Sequence, residues 1–149
     1  MNNKIRILFT KLFLHLVMNN PLFTSKIRRV ALILCGAKIG KGTFIGQNVY
    51  FDPLAIQNIT IGSNCIITQN VSILVHFFST ERQFYFGKVE IGNNCFIGMN
   101  SLICKSIKIG DNCIVGAGSV ITHDIPSNSF AAGVPCKIIK ELDEKKHEI

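Results

Sequence analysis

Histidine is scarce in this chain, acidic residues are missing from its first 38 positions, and no apolar run is long and unbroken enough to span a bilayer. Each absence removes a class of function. His15, His76, His123 and His147 are the full set, and only His76 and His123 fall in the patterned part of the sequence. That is too few for a three-histidine zinc centre. The six cysteines form no CxxC pair, so no metal site is expected. Lys11 and His15 interrupt the apolar stretch that begins at Ile5, and no small-residue cleavage site follows it. A transmembrane helix and a signal peptide are both disfavoured. Seven of the sixteen basic residues lie within positions 1–38, but without a recognisable binding module nucleic acid is not an expected partner.

What the chain has instead is a period of six. Ile91, Ile97, Ile103, Ile109, Val115 and Ile121 follow one another at that spacing, and Ile61, Ile67 and Ile73 share their register. Ile39, Ile45 and Phe51 repeat it out of phase. Three places after most of them stand Gly42, Asn48, Asn64, Asn70, Asn94, Asn100, Ser106, Asn112, Gly118 and Asp124. Six suits neither a helix nor plain strand alternation. It suits a short strand followed by a corner, where Gly, Asn and Asp enter the left-handed backbone region at low cost. Three such sides close a coil of about eighteen residues, and stacked coils bury one aliphatic column. The expected fold class is all-β, a left-handed parallel β-helix. Cys65, Cys95 and Cys113 fall beside the aliphatics in a small, inward column. They are expected to be free structural thiols of a protein in the reducing cytoplasm.

Residues 1–35 lie outside the repeat and are expected to form a helical cap, with Pro21 separating two helices. The first carries Ile5, Leu8, Phe9, Leu12, Phe13, Leu16 and Val17, and the second places Ile27, Val30, Ala31 and Leu34 opposite Lys26, Arg28 and Arg29. The cap is expected to cover the first coil, and its basic residues make peripheral contact with anionic membrane a second expectation. The β-helix domain is expected over 36–142 and a frayed tail over 143–149. The register slips after Phe51, around Asp52, and lapses from Phe77 to Lys88, as though a loop replaced one side or more.

Loops leaving a rigid scaffold are where chemistry concentrates. His76 stands where the coil gives way to that long loop. An imidazole titrates near neutral pH and suits removal of a hydroxyl proton.

The repeats, the loop preceded by His76, the run Ile114-Val115-Gly116-Ala117-Gly118-Ser119-Val120-Ile121-Thr122 and the ending Ala131-Ala132-Gly133-Val134-Pro135-Cys136-Lys137-Ile138-Ile139-Lys140 resemble the hexapeptide-repeat acyltransferases. Within them the chain looks most similar to the galactoside, maltose and polysaccharide O-acetyltransferases. The resemblance implies a homotrimer with acetyl-coenzyme A in a groove between subunits, acylating a sugar or glycan-precursor hydroxyl. It implies His76 as general base. Met99, Ala117, Thr122, His123, Lys137 and Lys140 would contact the cofactor, with His123 standing where relatives usually carry lysine. Asp52 would lie near the acceptor. N-acetylation of an amino sugar or an antibiotic is the alternative activity. A non-catalytic β-helix, a γ-type carbonic anhydrase and a serine acetyltransferase fit less well, since the first lacks its Thr arrays here, the second its histidines and the third its helical domain.

Overall fold

The computed structural model describes residues 3–143; positions 144–149, most of the expected tail and His147 among them, lie outside the described residues. Helix α1 (Asn3–Asn19) ends before Pro21, whose turn is held by the Leu22 amide donating to Asn20 Oδ1 at 2.9 Å. Helix α2 (Ser25–Leu34) then leads into the coils. The first coil is built from β1 (Lys38–Ile39), β2 (Phe44–Ile45) and β3 (Tyr50–Phe51), the second from β4 (Ile59–Ile61), β5 (Ile66–Ile67) and β6 (Ser72–Leu74). An antiparallel hairpin of β7 (His76–Phe78) and β8 (Phe84–Phe86) interrupts the stack. The third coil follows with β9 (Val89–Ile91), β10 (Phe96–Ile97) and β11 (Leu102–Cys104), and the fourth with β12 (Ile107–Ile109), β13 (Ile114–Val115) and β14 (Val120–Ile121). Strand β15 (Ser129–Ala132) extends one side further, and β16 (Lys137–Glu141) turns back antiparallel against it.

Corresponding strands of successive coils pair in parallel, giving three sheets: β1-β4-β9-β12, β2-β5-β10-β13-β15 and β3-β6-β11-β14. Ile45, Ile67, Ile97 and Val115 stack under the second sheet and Ile73, Ile103 and Ile121 under the third, all fully buried. The stack therefore reaches β15, ending at Ala132. It is a parallel β-helix, but α1 and α2 make the molecule not strictly all-β.

The three corners are not alike. Gly42, Asn64, Asn94, Asn112 and Asn128 occupy the first with φ between 55° and 74°; Asn48, Asn70, Asn100 and Gly118 occupy the second with φ between 57° and 69°. Amide side chains also bond along the first corner, Asn94 Nδ2 to Asn112 Oδ1 at 3.1 Å and Asn112 Nδ2 to Asn128 Oδ1 at 2.9 Å. The third corner breaks the pattern. Ser106 and Asp124, expected to turn in the left-handed region, do not; Lys105 does so at φ 72°. Asp124 instead accepts a bond from the Lys108 amide at 2.7 Å. All length variation falls here too: the core positions either side are Phe51 and Ile61, Ile73 and Ile91, Ile103 and Ile109, Ile121 and Ile125, while the other corners keep the step of six. The tract after His76 is thus an added hairpin, and all three sides of its coil survive.

The cysteine column is more polar than expected. Thr43 Oγ1 donates to the Gly62 carbonyl at 2.7 Å, Cys65 Sγ to Gly92 at 3.0 Å, Cys95 Sγ to Gly110 at 3.0 Å and Cys113 Sγ to Pro126 at 3.1 Å. Each buried donor thereby satisfies a carbonyl of the following coil.

Helix packing also departs from the sequence pattern. On α2 the buried residues are Arg28, Ala31 and Leu32, while Ile27, Val30 and Leu34 are exposed. Arg28 donates to the Asn20 carbonyl at 3.1 Å, within the cap, and Arg29 to the Gly40 carbonyl at 3.2 Å, tying the cap to the first coil. Burial pushes the Arg28 guanidinium down from its usual value. On α1, Leu14, Val17 and Met18 pack inward. The long apolar run serves two faces rather than one.

Candidate active site

Two of the third-corner insertions meet. Phe51 is the register partner of Ile73, so Asp52, the next residue, lies alongside the segment that leads through Val75 to His76. Asp52 is fully buried. The amides of Val75 and His76 each donate to its Oδ2 at 3.0 Å, and the Leu54 amide donates to its Oδ1 at 3.1 Å. His76 Nδ1 lies 2.5 Å from Oδ2. With the carboxylate accepting, Nδ1 carries the ring proton and Nε2 keeps its lone pair. Burial and the charge of Asp52 both push the nearby Tyr50 phenol up.

The side chain of His76 is 27% exposed. Its ring stacks on Phe84 at a centroid distance of 5.4 Å. His76 pairs with Phe86 across the hairpin and Phe78 with Phe84. Residues directly opposite, and residues two apart, share a face. His76, Phe78, Phe84 and Phe86 therefore form one aromatic face, with Phe84 touching Phe78 and Phe86 edge to face.

The sequence reading puts Asp52 beside the acceptor. Its burial and its bonds direct it to His76 instead, and no part of it meets solvent. Sequence reasoning missed this link and the aromatic platform, although the insertion after Phe51 and the one after Ile73 carry the signal in their common corner.

The other expected site residues lie elsewhere. Met99 and Ala117 stack in successive coils at the second corner, both exposed, and the Met99 carbonyl accepts the Gly118 amide at 2.7 Å. Across the sheet that separates this corner from His76, five residues of strand span about 16 Å. Thr122 and His123 stand at the third corner, bonded to each other at 2.9 Å through Oγ1 and Nδ1. They are two coils, about 10 Å, along the axis from the His76 coil. Lys137 and Lys140 are exposed on β16. One chain thus does not gather His76 and these residues into one pocket. Among the described residues, no three His, Cys, Asp or Glu side chains are grouped to hold a metal ion.

A family model described as the hexapeptide repeat of succinyl-transferase matches residues 36–74 and 88–123, leaving out the hairpin between them. The chain belongs to the hexapeptide-repeat acyltransferases. This hexapeptide-repeat acyltransferase is 39% identical over 119 residues to the galactoside O-acetyltransferase of Escherichia coli (strain K12), an overlap of 72% of the chain and 59% of that relative. The chain accordingly spans about three-fifths of that relative's length. Among solved structures it resembles a maltose O-acetyltransferase from Clostridium difficile 630 (27% identity, TM-score 0.71, covering 95% of this chain and 89% of that one). It also resembles a galactoside acetyltransferase in complex with coenzyme A (25% identity, TM-score 0.71, covering 96% and 84%). These likenesses fit the left-handed form of the parallel β-helix.

Proposed function

We propose that the protein is an acetyl-coenzyme A-dependent O-acetyltransferase acting on a sugar or glycan-precursor hydroxyl, with His76 as its general base. The observation that carries this reading is the buried Asp52 clamping Nδ1 of a partly buried histidine at the base of an aromatic hairpin. A hydroxyl is a poor nucleophile at neutral pH. His76 Nε2 takes its proton as the oxygen attacks the thioester carbonyl, and returns that proton to the departing thiolate as the new ester forms. Asp52 keeps Nδ1 protonated and favours the imidazolium while it exists. No enzyme nucleophile is needed. Backbone amides at a coil edge would donate to the oxyanion.

The platform of Phe78, Phe84 and Phe86 gives a flat apolar surface next to the base, on which the C–H face of a sugar ring rests. Coenzyme A fits the exposed second corner at Met99 and Ala117, with Thr122, His123 and the exposed ammonium groups of Lys137 and Lys140 near its polar groups. Because base and corner stand on opposite edges of one sheet, a second copy must bring its own edge alongside. A cyclic homotrimer closes that arrangement without leaving a free edge, and it provides the positioning between rigid walls.

The test is His76→Ala, assayed for acetyl transfer and for coenzyme A binding. We expect kcat to fall roughly a hundredfold or more with binding nearly unchanged. Near-normal turnover in a folded variant, or an acyl group trapped on Cys104 or another thiol, would refute direct transfer by His76.

A further inference from the structure

The face of α1 that packs inward is Thr10, Leu14, Val17 and Met18, and opposite it Ile5, Leu8, Phe9, Leu12 and Leu16 stay 56–68% exposed. Apart from the adjacent Leu8 and Phe9 they are spaced by three or four residues, so they form one stripe along the helix. Arg6 lies on one flank of the stripe by helical spacing, and Lys11 and His15 lie on the other; all three are exposed. Leu22, Ile27, Val30 and Leu34 add further exposed apolar surface in the same cap, beside exposed Lys26. A contiguous apolar area of this kind, rimmed by charge, marks an interaction surface. Two properties select its occupant. The chain has no acidic residue before Asp52, so a second copy of the cap would meet it with charge of the same sign, whereas an anionic lipid surface complements it. And no described helix is long and apolar enough to cross a membrane, while 17 residues of α-helix make a rod about 26 Å long suited to lying in the interface.

We infer that α1 docks the protein on anionic membrane surfaces, with Ile5, Leu8, Phe9, Leu12 and Leu16 entering the headgroup boundary and Arg6, Lys11 and Lys26 facing lipid phosphates. Arg28 and Arg29 take no part, since both are bonded to backbone carbonyls within the cap and its first coil. Docking is independent of the catalytic assignment.

The experiment is flotation of the full chain with phosphatidylcholine vesicles, with and without phosphatidylglycerol, alongside light scattering and a thermal melt. The chain should float with the anionic vesicles only, and 0.5 M salt should reduce the bound fraction severalfold. Phe9→Asp with Leu16→Asp should cut binding at least tenfold, and Arg6→Glu with Lys11→Glu should do so too; melting, oligomeric state and activity on a soluble acceptor should stay as in the wild type. Wild-type protein that stays out of the floated fraction at low salt would overturn the proposal, as would stripe variants that float as well as the wild type. A stripe variant that breaks the oligomer into smaller species would assign the stripe to a second copy instead.

Discussion

Replacing Asp52 by asparagine separates holding a histidine from holding a substrate. The carboxylate accepts four bonds, three at Oδ2 and one at Oδ1. An asparagine carbonyl at the Oδ2 position preserves the three, but its amide nitrogen then faces the Leu54 N–H. That one opposed pair costs about 2 kcal/mol of stability, as for a buried donor left unmet. For a chain of this size the melting point then falls by roughly 6 °C. The catalytic loss has a different source. As His76 becomes an imidazolium it faces a neutral amide instead of a carboxylate; two charges about 4 Å apart attract by about 4 kcal/mol at an effective dielectric constant near 20. With the proton about half transferred in the transition state, about 2 kcal/mol of that is lost, a decrease in kcat of roughly thirtyfold. Steady-state kinetics with acetyl-coenzyme A, varying the acceptor, read this directly. The KM for the acceptor should hardly move. Unchanged kcat with a raised acceptor KM would refute the positioning role and return Asp52 to the acceptor. Asp52→Ala is the harsher control: it strips all four donors of their acceptor and should cost about 4 kcal/mol or more, with poor folding the expected result.

Two further outcomes follow from the geometry. A Cβ added at Gly98 would stand 2.4 Å from the Ala117 amide nitrogen and 2.7 Å from the Gly116 carbonyl carbon; since backbone cannot swing aside, Gly98→Ala should cost about 3 kcal/mol and lower the melting point by roughly 9 °C, and an unchanged melt would show that the coils can part. Phe84→Ala removes the ring stacked on His76 and the centre of the aromatic face, so the acceptor KM should rise about tenfold while coenzyme A affinity holds; an unaltered acceptor KM would take the sugar off the hairpin.

The coil was legible because its chemistry is local. A buried aliphatic every six residues and an asparagine three places on each answer to one strand and one corner, and eight of the nine positive-φ residues in the first two corners fall where that pattern places them; the ninth, Asn128, follows the shortened third corner. His76 was legible by its place at an interruption. Its partner was not, because Asp52 and His76 are 24 residues apart and meet only once the first coil is set upon the second. The hairpin was hidden for a related reason: its pairing of Phe77 with Tyr85 leaves no alternation of polar and apolar residues, as every strand residue in it is aromatic and none is buried. On α2, the spacing of Ile27, Val30 and Leu34 suggested a buried face, yet the backbone carbonyl at Asn20 drew Arg28 inward. Periodicity reports that a helix has a stripe, and only its neighbours decide which stripe is covered.

The uneven third corner separates shape from selectivity. Because the first two corners hold every coil to the same step, residues can be gained or lost at the third without moving any strand out of register. Asp52 and His76 follow the ends of neighbouring strands, β3 and β6, on the same side of that corner, while the aromatic surface beyond them belongs wholly to the insertion. Exchanging residues 77–87 for another chain's hairpin is therefore a modular operation. It would replace the aromatic surface beside His76 and leave the His76–Asp52 pair where it stands, so that under the proposed function new acceptors would be reached by editing one edge of an otherwise fixed prism.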